Sequence, residues 1–172
     1  MPGARSAHRA LRQFSTPIAL GFAAATVASI APSDLVLEPS AGTGLLAIFA
    51  ELAGARLSLN EFAETRGALL EALFPATPVS RFDAAHIHDH LDGGVRPTVV
   101  LMNPPFSAAV HVEGRVADAA LRHISSALAR LADGGRLVAI TGANLGPDAP
   151  LWRECARQAK SLTADGTLID IR

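Results

Sequence analysis

The chain has one cysteine, one lysine and no apolar run as long as a membrane span. The lone Cys155 excludes a disulfide framework and a cysteine-based zinc site, and it fits a reducing, cytoplasmic setting. All but one of the 15 basic residues are arginine, and 16 acidic residues offset them to a net charge of -1. No dense lysine patch exists to hold a nucleic-acid backbone unaided, so a nucleic-acid substrate would call on a further segment or chain. Without a run near twenty apolar residues, a membrane-spanning helix is not expected. No linker, internal repeat or second domain interrupts the 172 residues, which are enough for one domain with a sizeable core.

Acidic residues are also missing ahead of Asp34, where Arg5, Arg9 and Arg12 precede the apolar stretch 18–31. That pattern resembles a signal or transit peptide. Against it stands Ser15-Thr16-Pro17, which reads as a hydroxyl N-cap with proline at the first helical position. Leu20, Ala23, Val27 and Ile30 then recur at helical spacing, predicting an amphipathic first helix that ends at Pro32-Ser33-Asp34.

Beyond this helix, short apolar runs alternate with helical patterns. Leu35-Val36-Leu37 predicts a buried strand, the turn Glu38-Pro39-Ser40-Ala41-Gly42-Thr43-Gly44 follows, and a helix runs through Leu45, Leu46, Ile48, Phe49 and Leu52. Strand, glycine turn and helix open a nucleotide-binding unit in which Gly42 and Gly44 admit a ligand close to the backbone. The full dinucleotide fingerprint is absent, since Leu46 and Ala47 occupy its later positions, and no Gly-Lys-Ser/Thr follows to hold a triphosphate. A second strand over 56–61 ends in Glu61, about twenty residues beyond the glycines, where an acid takes ribose hydroxyls; equally, Glu61 would favour the start of the next helix, which stops at Pro75. A third strand over 79–82 puts Asp83 at its end, placed to accept from an adenine amino group.

His86-Ile87-His88-Asp89-His90 has alternating histidines that could face a metal together, but Leu91-Asp92-Gly93-Gly94 marks the stretch as surface loop, and no metal is expected. A fourth strand, Thr98-Val99-Val100-Leu101-Met102, runs into Asn103-Pro104-Pro105-Phe106. The two prolines push Asn103 and Pro104 into extended backbone, so the Asn103 amide oxygen and the Pro104 carbonyl form two neutral acceptors suited to a planar amino group. Phe106 would stack on a flat ring. Residues 107–115 read as a mobile loop in which His111 or Arg115 could touch substrate. The helix 116–132, with Ala120, Leu121, Ile124, Leu128 and Leu131 on one side, leads to a fifth strand over 137–140. A loop over 144–150, a helix over 151–162 carrying Trp152 and Cys155, and a sixth strand over 167–171 complete the expectation. The fold class is therefore α/β: a Rossmann-like, open, mostly parallel sheet with helices on both faces.

In order and in kind these motifs resemble the class I S-adenosylmethionine-dependent methyltransferases of the adenine amino-group type. The resemblance rests on Gln13-Phe14-Ser15-Thr16-Pro17, the turn Glu38 to Gly44, Asn60-Glu61, Asp83-Ala84 and Asn103-Pro104-Pro105-Phe106, and it covers most of the chain. The phrases LEPSAGTG and LMNPPFS also resemble the methylase-like region of strawberry-notch-like bifunctional methylase and helicase proteins. The resemblance implies S-adenosylmethionine as cofactor, with Thr16 and Pro17 against its methionine end. Glu38, Pro39, Ser40, Gly42 and Gly44 would shape the pocket, Glu61 would take the ribose, and Asp83 and Ala84 the adenine. Asn103, Pro104, Pro105 and Phe106 would hold the target base in nucleic acid, DNA ahead of RNA.

The resemblance further implies one methyltransferase domain, with a helical segment over 1–33 and a core over 34–172. The family's usual seventh, antiparallel strand has no counterpart, so the chain is expected to be truncated or the front part of a longer polypeptide. Two rival readings stand beside adenine methylation: methylation of glutamine amide in proteins, and a catalytically silent cofactor-binding module of a helicase-like machine.

Overall fold

The computed structural model describes residues 15–105 and 115–142. Five strands form one sheet: β1 (Leu35–Glu38), β2 (Arg56–Asn60), β3 (Val79–Ser80), β4 (Val99–Met102) and β5 (Arg136–Ala139). Their order is β3-β2-β1-β4-β5, and every pairing is parallel. Parallel neighbours need crossovers, supplied by α1 (Ile18–Ala28) leading in, α2 (Ala47–Leu52), α3 (Glu64–Leu73), a 3-10 turn (Ala84–His86) running into α4 (Ile87–His90), and α5 (Arg115–Leu128). The order reverses beside β1, so the C-terminal edge around β1 and β4 is the switch point of the sheet.

Alternation along the central strands builds two cores. Val36, Val99 and Leu101 face one side, packed with Ala24, Ala28, Leu46 and Ala50 of α1 and the α2 region. Leu37, Val100 and Met102 face the other, packed with Ala120, Leu121, Ile124 and Ala127 of α5. A third cluster joins Leu59 of β2 to Leu70 and Phe74 from α3 and its end. All four β4 residues are buried, as a central strand covered on both faces requires. The expected three layers are present, and α1 packs into the core through Ala24 and Ala28. No helix among the described residues is long and apolar enough to cross a membrane.

Several local expectations are corrected. The buried face of α1 is Gly21, Ala24 and Ala28, whereas Leu20 and Ala23 are exposed. A Cβ on Gly21 would lie 2.9 Å from the Leu45 carbonyl oxygen and from Phe49, so the close approach to the α2 region selects small residues over large apolar ones. Pro17 takes the N-cap place of α1, without a side-chain cap, and its carbonyl accepts from Leu20 and Gly21; the expected hydroxyl cap with proline one position inside the helix does not form. Strand β3 stops at Ser80, two residues short of the expected span. Helix α5 ends at Leu128, and the chain turns through Gly134 at φ 72°. The loop over 144–150, the helix over 151–162 and the strand over 167–171 lie outside the described residues.

At the N-terminal edge of the sheet, Asp34 ties four segments together. Its Oδ2 accepts from the Ala31 N–H (2.8 Å) and Arg136 Nη2 (2.6 Å), and its Oδ1 from the Thr98 hydroxyl (2.7 Å). Thr98 Oγ1 accepts the Leu35 N–H at 3.0 Å, and Arg136 Nε donates to the Ala28 carbonyl at 2.7 Å. Burial alone would raise the Asp34 carboxyl, but these hydrogen bonds and the Arg136 charge outweigh it and hold the group below its ordinary value.

Candidate functional site

All five strands run parallel, so Glu38, Glu61, Asp83 and Asn103, each at or just beyond the end of its strand, come to one edge of the sheet. Glu38 is only 2% exposed. The Ala47 N–H reaches its carboxyl, while Oε2 has no hydrogen-bond partner among the described residues. Burial pushes this carboxyl well above the ordinary glutamate value; the nearby Glu61 charge adds to the rise and the Ala47 N–H opposes it.

The glycine turn divides its labour. Gly42 sits at φ 58°, and among the described residues only Arg66 Nη1, at 3.8 Å, comes near the point where a Cβ would stand. Gly44, at φ 80°, is more closely packed. A Cβ there would lie 2.6 Å from Phe74 and 3.1 Å from Leu70, so packing as well as the left-handed backbone selects glycine at this position. Pro39 is buried and Ser40 half-buried within the same turn.

Glu61 is 2% exposed and held from three sides. Its Oε2 accepts the Gly42 N–H at 2.8 Å, and its Oε1 accepts the Ala63 N–H at 2.9 Å and Arg66 Nη2 at 2.7 Å. The Ala63 contact precedes α3, so Glu61 braces the entry to that helix as well as the glycine turn. Phe62 beside it is 65% exposed, an apolar ring open to solvent at the strand edge. Neither Arg66 nor Phe62 carried a sequence signal, because their meaning comes from Glu61 being folded over the turn.

Asn60 explains the short third strand. Its Nδ2 donates to the carbonyls of Pro39 (2.9 Å) and Phe82 (2.8 Å); its Oδ1 accepts from the Ser80 hydroxyl and the Phe82 N–H, both at 2.8 Å. Both main-chain groups of Phe82 are thus taken by a side chain instead of the β-ladder. This buried amide pins the ends of β1, β2 and β3 together. Asp83 next caps the 3-10 turn, its Oδ1 accepting the Ala85 N–H at 2.9 Å, while Ala84 is buried.

Asn103 lies half-buried beyond β4, with Pro104 buried and Pro105 exposed. No cis peptide bond occurs among the described residues. Asn103 Nδ2 donates to Thr16 Oγ1 at 3.0 Å across 87 positions of sequence, and Oδ1 is buried with no partner among the described residues. Thr43 donates weakly to Ser15 Oγ at 3.4 Å, so the segment before α1 bridges the glycine turn and the β4 loop. Thr16 is therefore a tether for Asn103, and Pro17 stands next to it. Phe106 and the residues 107–114 lie outside the described set.

The histidine stretch is helical, not an extended loop: it spans the 3-10 turn and α4, with His86, His88 and His90 exposed. His90 stacks on Phe82 at 4.9 Å, and His88 Nδ1 lies 2.8 Å from Ser126 Oγ. No group of three or more histidine, cysteine, aspartate or glutamate side chains among the described residues is placed to hold a metal ion. A depression of about 260 Å3 lined by His86, His88, Arg122 and Ser126 among others shares none of the strand-end residues. His123 of α5 is a further group that sequence reasoning missed. Its Nδ1 is buried without a partner among the described residues, and burial lowers its pKa, opposed by the Asp83 charge and assisted by Arg122.

No family model matches the chain, and no curated protein sequence does. Solved structures do. TrmN from Thermus thermophilus is similar at a TM-score of 0.66 and 22% identity over 83% of this chain and 42% of its own. A modification subunit of a putative type I restriction enzyme from Vibrio vulnificus YJ016 gives 0.67 and 14%, covering 90% of this chain and 40% of its own. An S-adenosylmethionine-dependent O-methyltransferase from Thermotoga maritima gives 0.58 and 12%, covering 90% and 53%. The chain thus spans about half or less of the length of these three proteins.

Proposed function

We propose that this chain, whose α/β fold is the one shared with those methyltransferase structures, is an S-adenosylmethionine-dependent methyltransferase acting on the exocyclic amino group of adenine in nucleic acid, DNA ahead of RNA. The observation that carries the reading is the state of Asn103. Its amide nitrogen is committed to Thr16, so the rotamer is held, and its amide oxygen is left buried and, among the described residues, unpaired at the switch point of the sheet. An unpaired buried acceptor costs about 1–3 kcal/mol, a cost that an amino group brought to the site would offset.

The cofactor site fits the residues present. The orphaned Glu38 Oε2 offers a polar contact to the charged methionine end, the opening over Gly42 admits a ligand to the turn, and Glu61 would hold ribose hydroxyls. The exposed Phe62 ring gives adenine an apolar face, and Asp83 and Ala84 would meet its edge. The bound cofactor supplies an electrophilic methyl group. On the protein side, Asn103 would accept from the target amino group and orient it, Thr16 would keep the amide from rotating, and Pro104 would stiffen the loop. Adenine in a duplex would have to leave the stack to reach this edge. A nucleic-acid partner would be gripped with help from a region beyond the described residues, because the chain itself is nearly neutral.

The test is methyl transfer from labelled S-adenosylmethionine to DNA and to RNA, with nucleoside analysis of the product. Methyladenine formed by the unaltered chain and reduced about a hundredfold or more by Asn103→Ala, with S-adenosylhomocysteine still bound, is the expected result. Label appearing in methylglutamine of a protein substrate, or full activity of Asn103→Ala, would overturn it.

A further inference from the structure

The pairing of Glu61 with Arg66 decides which nucleosides the edge can take, an inference that rests on the cofactor reading above. A carboxylate offers about four lone-pair positions. Three are filled here, by the N–H groups of Gly42 and Ala63 and by Arg66 Nη2. The first two donors are main chain, fixed by the glycine turn and by the entry to α3. Arg66 is the one donor of the three that can leave without moving the backbone.

The remaining position, on Oε2, suffices for one hydroxyl. A vicinal diol needs a second acceptor, and the one that can be vacated is on Oε1, where Arg66 donates. Two observations mark this seat as provisional. Arg66 Nε is buried with no hydrogen-bond partner among the described residues, so the guanidinium is incompletely satisfied where it lies. Its Nη1 also overhangs Gly42, 3.8 Å from the point where a Cβ would stand, in the space a ligand on the turn must enter. The Arg66 side chain is 25% exposed against 2% for Glu61, so the arginine has a path to solvent that its partner lacks.

We propose that Arg66 is a displaceable occupant of the nucleoside site: it closes on Glu61 in the free chain and is expelled by a complete ribose diol, but not by a single hydroxyl. The arginine therefore competes with the ribose of the cofactor and leaves a deoxyribose ligand unaffected.

Calorimetric titration of the full chain with S-adenosylhomocysteine and with its 2′-deoxyribose analogue tests this. Arg66→Met should bind S-adenosylhomocysteine about three- to tenfold tighter, the worth of one partly exposed ion pair, with the affinity of the analogue unchanged. Arg66→Lys, which keeps the charge but not the planar overhang, should gain less, and in a Glu61→Gln background the gain from Arg66→Met should vanish. Equal changes for both ligands, or weaker or unchanged binding of S-adenosylhomocysteine by Arg66→Met, would overturn the proposal while leaving the cofactor reading intact. Failure of the unaltered chain and both variants to bind either ligand would instead remove the cofactor reading, and this proposal with it.

Discussion

Gly44 and Gly42 look equivalent in sequence, yet their surroundings assign them different work. At Gly44, a side chain would meet both a left-handed backbone and the Phe74 ring 2.6 Å from its Cβ. Gly44→Ala should therefore destabilise the fold by about 2–4 kcal/mol, summing backbone strain and overpacking. Phe74→Leu should recover part of that loss, and a double-mutant cycle in denaturant measures the coupling. Gly42→Ala meets only the backbone strain, since among the described residues only Arg66 comes near its Cβ position, so its stability loss should be smaller and its effect on ligand binding larger. The contrast in denaturation midpoints between the two variants checks the division.

Among the elements, the ends of β1, β2 and β3 are joined by the Asn60 amide as well as by backbone pairing. Four hydrogen bonds converge on a side chain with no exposure, and two of them occupy Phe82, which directly precedes Asp83. Asn60→Ala leaves the Pro39 and Phe82 groups unpaired at a cost of about 3 kcal/mol or more. Hydrogen exchange should show faster opening around 79–86 while β4, buried on both faces, stays protected. Equal loss of protection in β4 would mean that Asn60 serves the whole sheet rather than its strand ends.

For the molecule as a whole, the two edges of the sheet respond to pH in opposite senses. Asp34, at the N-terminal edge, has a lowered carboxyl pKa, so its contribution is present above the unfolded value and is lost as pH falls through the folded one. Glu38, at the C-terminal edge, has a raised pKa, so the native state binds the extra proton. Stability falls as pH rises from the ordinary glutamate value through the raised one. Thermal unfolding followed across pH should then show Asp34→Asn losing stability chiefly on the neutral side, by about 1–3 kcal/mol. Glu38→Gln should gain stability at neutral pH and gain nothing in acid. A Glu38→Gln variant with the same pH profile as the unaltered chain would show that burial does not hold the proton there.

The sequence by itself determined the alternation of strands and helices, the parallel sheet that alternation requires, and the residues at the strand ends, because period and turn chemistry are local properties. Glu38 and Asn103 were legible on that ground because each interrupts an apolar run with a polar side chain, and Glu61 and Asp83 because each follows a short strand pattern. Only the tertiary structure decided what those residues touch. It put small residues rather than leucines on the inner face of α1, filled the space at Gly44 with Phe74, and gave Phe82 to Asn60 instead of the ladder. It also set Arg66 on Glu61 and Thr16 on Asn103. The physical reason is distance along the chain: the Asn103 contact with Thr16 spans 87 residues, and a contact made across that separation leaves no period in the sequence for a local reading to find.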